Sequence, residues 1–209
     1  EKLQNIFQAK NDQVQKKEQI KEFLMTIKDD QITTENLRPT IYDFDEFDFI
    51  ELRKINNTST SFFHLVMHKE SLHIFLVKKA KTQEFEDQSK FQREIDFCKN
   101  YHHRCFTHFY GFVKKQGKIS GLVYEFMSNG DLCSFIKNSP NKANDIFCFM
   151  TMTRICRGIE YLQSQKLIHR DLKPSNILLN HDLIPFISDF ETIRSIENSN
   201  EGEESNDNF

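Results

Sequence analysis

The chain's 209 residues are 38% hydrophobic and 28% charged, long enough for one substantial core or two small ones, and the formal net charge of -3 is unevenly spread. From Glu191 onward there are six acids against Arg194 alone, which leaves a near-neutral body without the basic stripe that binds nucleic acid by counterion release. Five cysteines with no Cys-x-x-Cys pair, no apolar run of the roughly 18 residues that span a membrane, and first residues without a signal-peptide core argue against a disulfide scaffold and a membrane partner, so a cytoplasmic or nuclear protein is expected.

In chain order, residues 1–40 set Leu3, Ile6, Phe7, Val14, Ile20, Phe23, Leu24 and Ile27 among many Lys, Gln and Glu. That spacing predicts a helical N-terminal extension, too irregular for a coiled coil and a candidate partner-binding segment. Arg38-Pro39 marks a break, because the residue before a proline is pushed out of the helical region. Short β-rich runs follow at 49–52, 62–67 and 73–78, separated by polar turns, and predict an antiparallel meander. A helix is expected near 84–100, with Phe91, Ile95 and Cys98 on one face, then strands around 109–113 and 119–126. After Asn129-Gly130 the pattern turns helical, over 131–137 and about 145–163. Ile177-Leu178-Leu179 and Ile184-Pro185-Phe186-Ile187 flank Asn180-His181-Asp182 and predict a hairpin. Residues 195–209 hold almost nothing to bury and predict a disordered acidic tail.

His169-Arg170-Asp171-Leu172-Lys173-Pro174-Ser175-Asn176 fits H-R-D-L-x-x-x-N at every fixed position, and Asp189-Phe190 follows beyond the predicted hairpin. Phosphoryl transfer needs a carboxylate to orient the acceptor hydroxyl and metal ions to bridge the phosphates, and these residues supply both. From about Phe47 to Arg194 the chain resembles the eukaryotic-type protein kinases. Lys173, two residues after Asp171, is the Ser/Thr-kinase pattern, while the hinge wording Leu122-Val123-Tyr124-Glu125-Phe126-Met127-Ser128-Asn129-Gly130-Asp131-Leu132 and Tyr110-Gly111-Phe112 resemble the tyrosine-kinase-like branch.

The resemblance implies a two-lobed α+β fold: a small lobe of antiparallel strands plus an αC helix (42–124) and an incomplete, mainly helical large lobe (125–194). It implies ATP and Mg2+ as cofactors and a protein Ser/Thr hydroxyl as substrate. Asp171 would orient the acceptor, Lys173 steady the γ-phosphate, and Lys78 with Glu94 hold the other phosphates. Asn176 and Asp189 would bind magnesium. Lys78 is chosen over Lys79 because strand alternation turns only one of the two inward. Tyr124 would be the gatekeeper, backbone groups of Glu125 and Met127 would meet adenine, and Leu178, Asn56 and Ser61 complete the nucleotide contacts. Arg170 would grip a phosphorylated activation-loop residue, with Thr192, Ser195, Ser199 and Ser205 as candidates.

The pattern is broken in four places. Where G-x-G-x-x-G is expected the chain reads Asn56-Asn57-Thr58-Ser59-Thr60-Ser61, and no glycine precedes Gly111, which excludes a Walker loop or a dinucleotide fingerprint there. Leu76 replaces a small alanine, Glu191 replaces the glycine of D-F-G, and no Ala-Pro-Glu follows, so a chain truncated in the activation segment is expected. A pseudokinase, binding without phosphoryl transfer, is the competing reading. Cys98, His102, His103, Cys105 and His108 have the residue types of a zinc site, but their spacing matches no standard ligand pair.

Overall fold

The computed structural model describes residues 40–55, 61–81 and 85–196. Residues 1–39 of the expected extension, the loop 56–60 with Asn56, and 197–209 of the expected tail lie outside them.

The small lobe is a six-stranded sheet of β1 (Tyr42–Asp45), β2 (Phe49–Lys54), β3 (Ser61–His68), β4 (Ile74–Ala80), β5 (Phe109–Lys115) and β6 (Lys118–Glu125). Their spatial order is β1-β5-β6-β4-β3-β2, with helix α1 (Phe85–Asn100) between β4 and β5. The meander β2-β3-β4 forms as its alternation predicts. Val66 and Val77 lie on the outer face, packed with Phe75, Val113 and Val123 in a small satellite core. Leu76 and Lys78 occupy the alternate positions of β4, opposite Tyr124 and Leu122 of β6. Gln116 and Gly117, at φ 50° and 76°, close the β5-β6 hairpin in the doubly left-handed turn that two-residue connections favour.

One strand departs from the expected antiparallel arrangement. β1 pairs parallel with β5, with Tyr42 opposite Gly111, and so extends the sheet by an edge that carries no local pattern of its own. The pairing needs a residue without a side chain: a Cβ on Gly111 would stand 1.9 Å from the Tyr42 carbonyl oxygen. Asp45 then caps a short 3-10 turn over Glu46–Asp48, which leads into β2.

The large lobe begins with α2 (Leu132–Asn138), capped by the Asp131 carboxylate, and the twenty-residue α3 (Asp145–Ser164), capped by Asn144. Two short two-stranded pairings complete it. β8 (Ile177–Leu179) and β9 (Pro185–Ile187) form the predicted hairpin, and β10 (Arg194–Ser195) pairs antiparallel with β7 (Leu167–Ile168). Ser195 is therefore ordered against the strand before the catalytic loop, and the Ile196 amide donates to the Lys166 carbonyl, so the expected tail starts later than residue 195. At Gly158 α3 touches the hairpin so closely that a Cβ would lie 2.5 Å from the Ile187 side chain. The main core runs continuously from α1 through β5 and β6 to α3 and the hairpin, through Phe97, Phe106, Phe112, Leu122, Leu162, Ile177, Ile187 and Phe190. Among the described residues no helix is long and apolar enough to cross a membrane.

Gly111→Ala should displace β1 and cost about 1–3 kcal/mol in chemical denaturation, the usual range for overpacking, with faster amide exchange over residues 42–45. Gly117→Ala is the control. Nothing lies within 4 Å of its would-be Cβ, so only the positive φ is penalised and β1 exchange should not change.

Candidate active site

Lys78 is the centre of the site. Strand alternation turns its side chain inward, where only 4% of it is exposed, while Lys79 turns to the outer face. Its Nζ lies 2.6 Å from Glu94 Oε2 on α1, 3.1 Å from Asp189 Oδ1 and 3.4 Å from Glu191 Oε2. Burial works against the ammonium charge, but the three carboxylates outweigh it and hold Lys78 well above the ordinary lysine value. Glu94 is equally enclosed: its second oxygen accepts from the Tyr124 hydroxyl at 2.8 Å, and that hydroxyl also meets Cys98 Sγ at 3.1 Å. Tyr124 titrates well above a free tyrosine, because of burial first and the adjacent Cys98 and Glu94 second. A chain of contacts, Cys98 to Tyr124 to Glu94 to Lys78, thus ties α1 to β4 and β6.

Residues of the His169–Asn176 loop form a second network. Lys173 Nζ donates to Asp171 Oδ2 at 2.6 Å, and Asn176 Nδ2 donates to the Asp171 carbonyl at 2.8 Å and to Oδ2 at 3.1 Å. The Lys173 hydrogen bond, supported by Asn176, holds the Asp171 carboxyl below the ordinary aspartate value, so the group is ionised and accepting at neutral pH. His169 is buried and braces the loop from behind. Its Nε2 lies 3.0 Å from the Ser188 carbonyl, which can only accept, so the proton sits on Nε2 and Nδ1 faces the Asp171 amide. Burial pushes His169 below the ordinary imidazole value, in keeping with a neutral ring. Arg170 and Asp189 both have left-handed backbones, φ 68° and 67°, a strain of about 1–3 kcal/mol each that persists where surroundings fix the geometry.

The segment after β9 is held at each residue. Ser188 donates amide and hydroxyl to the Asn176 carbonyl. Phe190, only 2% exposed, stacks 4.1 Å from Phe97 of α1 and lies 5.0 Å from Phe106 and 5.5 Å from His169. The Glu191 carbonyl accepts from Arg93 Nε at 3.0 Å. Thr192 Oγ1 donates to the His169 carbonyl at 2.7 Å, so this candidate phosphorylation hydroxyl already serves as an internal clamp. Ser199 and Ser205 lie outside the described residues.

The residues expected to contact a nucleotide are placed less completely. Leu76 is half-buried on the inner face of β4, and Leu178 is half-buried on β8, bridged to Asp131. At the hinge the Glu125 amide donates to the His108 carbonyl and the Met127 carbonyl accepts from the Gly130 amide, uses that do not involve the Glu125 carbonyl or the Met127 amide. Ser61 is the first residue of β3, paired with Ala80 and buried, not a loop residue as its place in the lid pattern suggests. Asn56 lies outside the described residues.

For magnesium the donor chemistry fits. Asp189 offers a carboxylate and Asn176, whose amide nitrogen is spent on Asp171, offers its amide oxygen, both hard donors. Among the described residues the acids Glu94, Asp189 and Glu191 form the one group of three or more potential ligands within 4.8 Å. Of the Cys and His group whose spacing argues against zinc, three residues have packing partners. Cys98 meets Tyr124, His103 stacks 4.7 Å from Tyr161, and His108 lies edge-on to Tyr110. Sequence reasoning missed the Tyr124 bond to Glu94, the Arg93 anchor, the Thr192 clamp and the Glu191 contact with Lys78. Only Glu191 carried a signal, as a departure from glycine.

Residues 60–209 match the family described as protein tyrosine and serine/threonine kinase. The chain is 35% identical over 127 residues to cysteine-rich receptor-like protein kinase 45 of Arabidopsis thaliana, an overlap that covers 58% of this chain and 36% of the relative. It is 32% identical over 120 residues to L-type lectin-domain containing receptor kinase VII.1 of the same plant, covering 54% and 18%. Over 117 residues it is 33% identical to the plant's G-type lectin S-receptor-like serine/threonine-protein kinase RLK1, covering 54% and 14%. The chain thus spans about a third or less of the length of these relatives. A family match over most of the chain, on a sheet and helix that bring Lys78, Glu94 and Asp189 within hydrogen-bonding distance, shows that it belongs to the protein tyrosine and serine/threonine kinase family.

Proposed function

We propose that this chain is the core of a protein kinase domain, spanning 42–194 with its lobe junction after residue 124, that transfers the γ-phosphate of ATP to Ser/Thr hydroxyls of protein substrates in the cytoplasm. The observation that carries the proposal is the convergence of Lys78, Glu94 and Asp189, groups 16 and 111 positions apart, on one buried ammonium. In this reading Lys78, braced by Glu94, holds the inner phosphates. Asp171 accepts a hydrogen bond from the substrate hydroxyl and sets its line of attack, and Lys173 neutralises charge on the transferring group. Asn176 and Asp189 would hold magnesium, which would supply electrostatic neutralisation of phosphate charge. Leu76 and Leu178 line the adenine, and Glu125 and Met127 meet its edge through backbone groups. The lowered Asp171 suits orientation better than proton abstraction, since a weak base can still align a hydroxyl. The Ser/Thr preference rests on Lys173 and on the names of relatives such as RLK1. Five cysteines without a disulfide support a reducing compartment.

A second reading is favoured by one observation, the Glu191 carboxylate on Lys78. A Lys78 ammonium already paired from within suits a pseudokinase that binds partners without phosphoryl transfer.

Magnesium-ATP should raise the unfolding temperature of the wild type, by about 2.7 kcal/mol of stabilisation at a hundredfold excess over Kd, and Asp189→Ala should abolish the rise in thermal-shift measurements. Asp171→Asn should keep that shift yet lose at least a hundredfold in phosphate transfer to a Ser/Thr peptide. No transfer by either protein would favour the pseudokinase, and equal transfer by both would remove Asp171 from its orienting role. Tyr124→Phe leaves a buried Glu94 oxygen without its donor and should cost about 1–3 kcal/mol in urea denaturation.

A further inference from the structure

The kinase reading leaves Glu191 without a task, although its side chain points into the site. Lys78 Nζ is shared by Glu94 at 2.6 Å, Asp189 at 3.1 Å and Glu191 at 3.4 Å, and oxygens of all three carboxylates lie within 4.8 Å of one another. One ammonium thus faces three carboxylates in a site where its own side chain is 4% exposed and that of Glu191 only 15%. Like charges held so close, and so poorly screened, raise the cost of any further anion.

We propose that Glu191 is a positioning residue that occupies Lys78 in place of a nucleotide phosphate and thereby makes nucleotide binding steeply dependent on a divalent cation. The inference rests on the kinase reading and adds to it a property of this chain's own side chain. A nucleotide's phosphates compete with the Glu191 carboxylate for the same Nζ, and they enter a site that already holds an excess of negative charge. A divalent cation held by Asp189 and Asn176 offsets that charge, so the carboxylate penalises the metal-free nucleotide far more than the metal complex. The backbone of Glu191 is fixed separately, through its carbonyl and Arg93 Nε at 3.0 Å, so a change of side chain leaves the segment anchored to α1.

The test is calorimetric titration of the full chain with ATP, once in magnesium and once in EDTA, for wild type, Glu191→Gln and Glu191→Gly. The proposal expects Glu191→Gln to tighten metal-free ATP about tenfold and to change magnesium-ATP by threefold or less, so that the gain from magnesium shrinks. Glu191→Gly, which removes the side chain outright, should act in the same direction and serves if the glutamine variant fails to fold. Weaker magnesium-ATP binding with unchanged metal-free binding would make Glu191 a metal ligand and overturn the proposal. Equal metal dependence in all three proteins would overturn it while leaving the kinase reading intact. No ATP binding by any of them, with or without magnesium, would remove both.

Discussion

A lysine ammonium taken wholly out of water is the constraint around which this fold is arranged. Desolvating such a charge costs several kcal/mol, and it is tolerated only where opposite charges and hydrogen bonds surround it. The partners of Lys78 come from two separate places, Glu94 from α1 and Asp189 and Glu191 from the segment after β9, with Tyr124 of β6 closing the far side of Glu94. None of these elements can shift without uncovering a buried charge. The position of α1 against the sheet is therefore an electrostatic requirement as much as a packing one.

Apolar contacts reinforce the same arrangement from behind. Phe190 inserts between α1 and the catalytic loop, stacked on Phe97 and beside Phe106 and His169, while its neighbour Asp189 takes a left-handed backbone that points the carboxylate back to Lys78. His169 then passes the constraint on, through Ser188 on one side and the Thr192 hydroxyl on the other. Electrostatics and ring packing thus meet at consecutive residues, which accounts for a tolerated positive φ at a non-glycine position.

Much of this was legible in the sequence, for reasons that differ from residue to residue. The β2-β3-β4 meander, α1 and α3 show in period alone, and alternation correctly separates inward Lys78 from outward Lys79. The catalytic-loop string identifies its own partners because their spacing is fixed within eight residues. β1 was not legible: its four residues pair in parallel with a strand some seventy positions away, and the only trace is a glycine at 111. The Tyr124 bond to Glu94 and the Glu191 contact with Lys78 span 30 and 113 positions, and no local pattern encodes such reach. Ser61 was misplaced by one structural unit, since a serine in a polar run gives no sign that a strand begins with it.

The Cys98–Tyr124 contact also bears on how small molecules would see this pocket. The buried phenol meets a buried thiol, which burial pushes far above the ordinary cysteine value and so keeps unreactive toward electrophiles. Trimming Tyr124 to a small residue would open space beside it and bring the sulfur into contact with solvent and bound compounds. On the proposed nucleotide-binding reading, an adenine analogue with a bulky, mildly electrophilic substituent would then have a private covalent handle, one that the unaltered protein keeps out of reach.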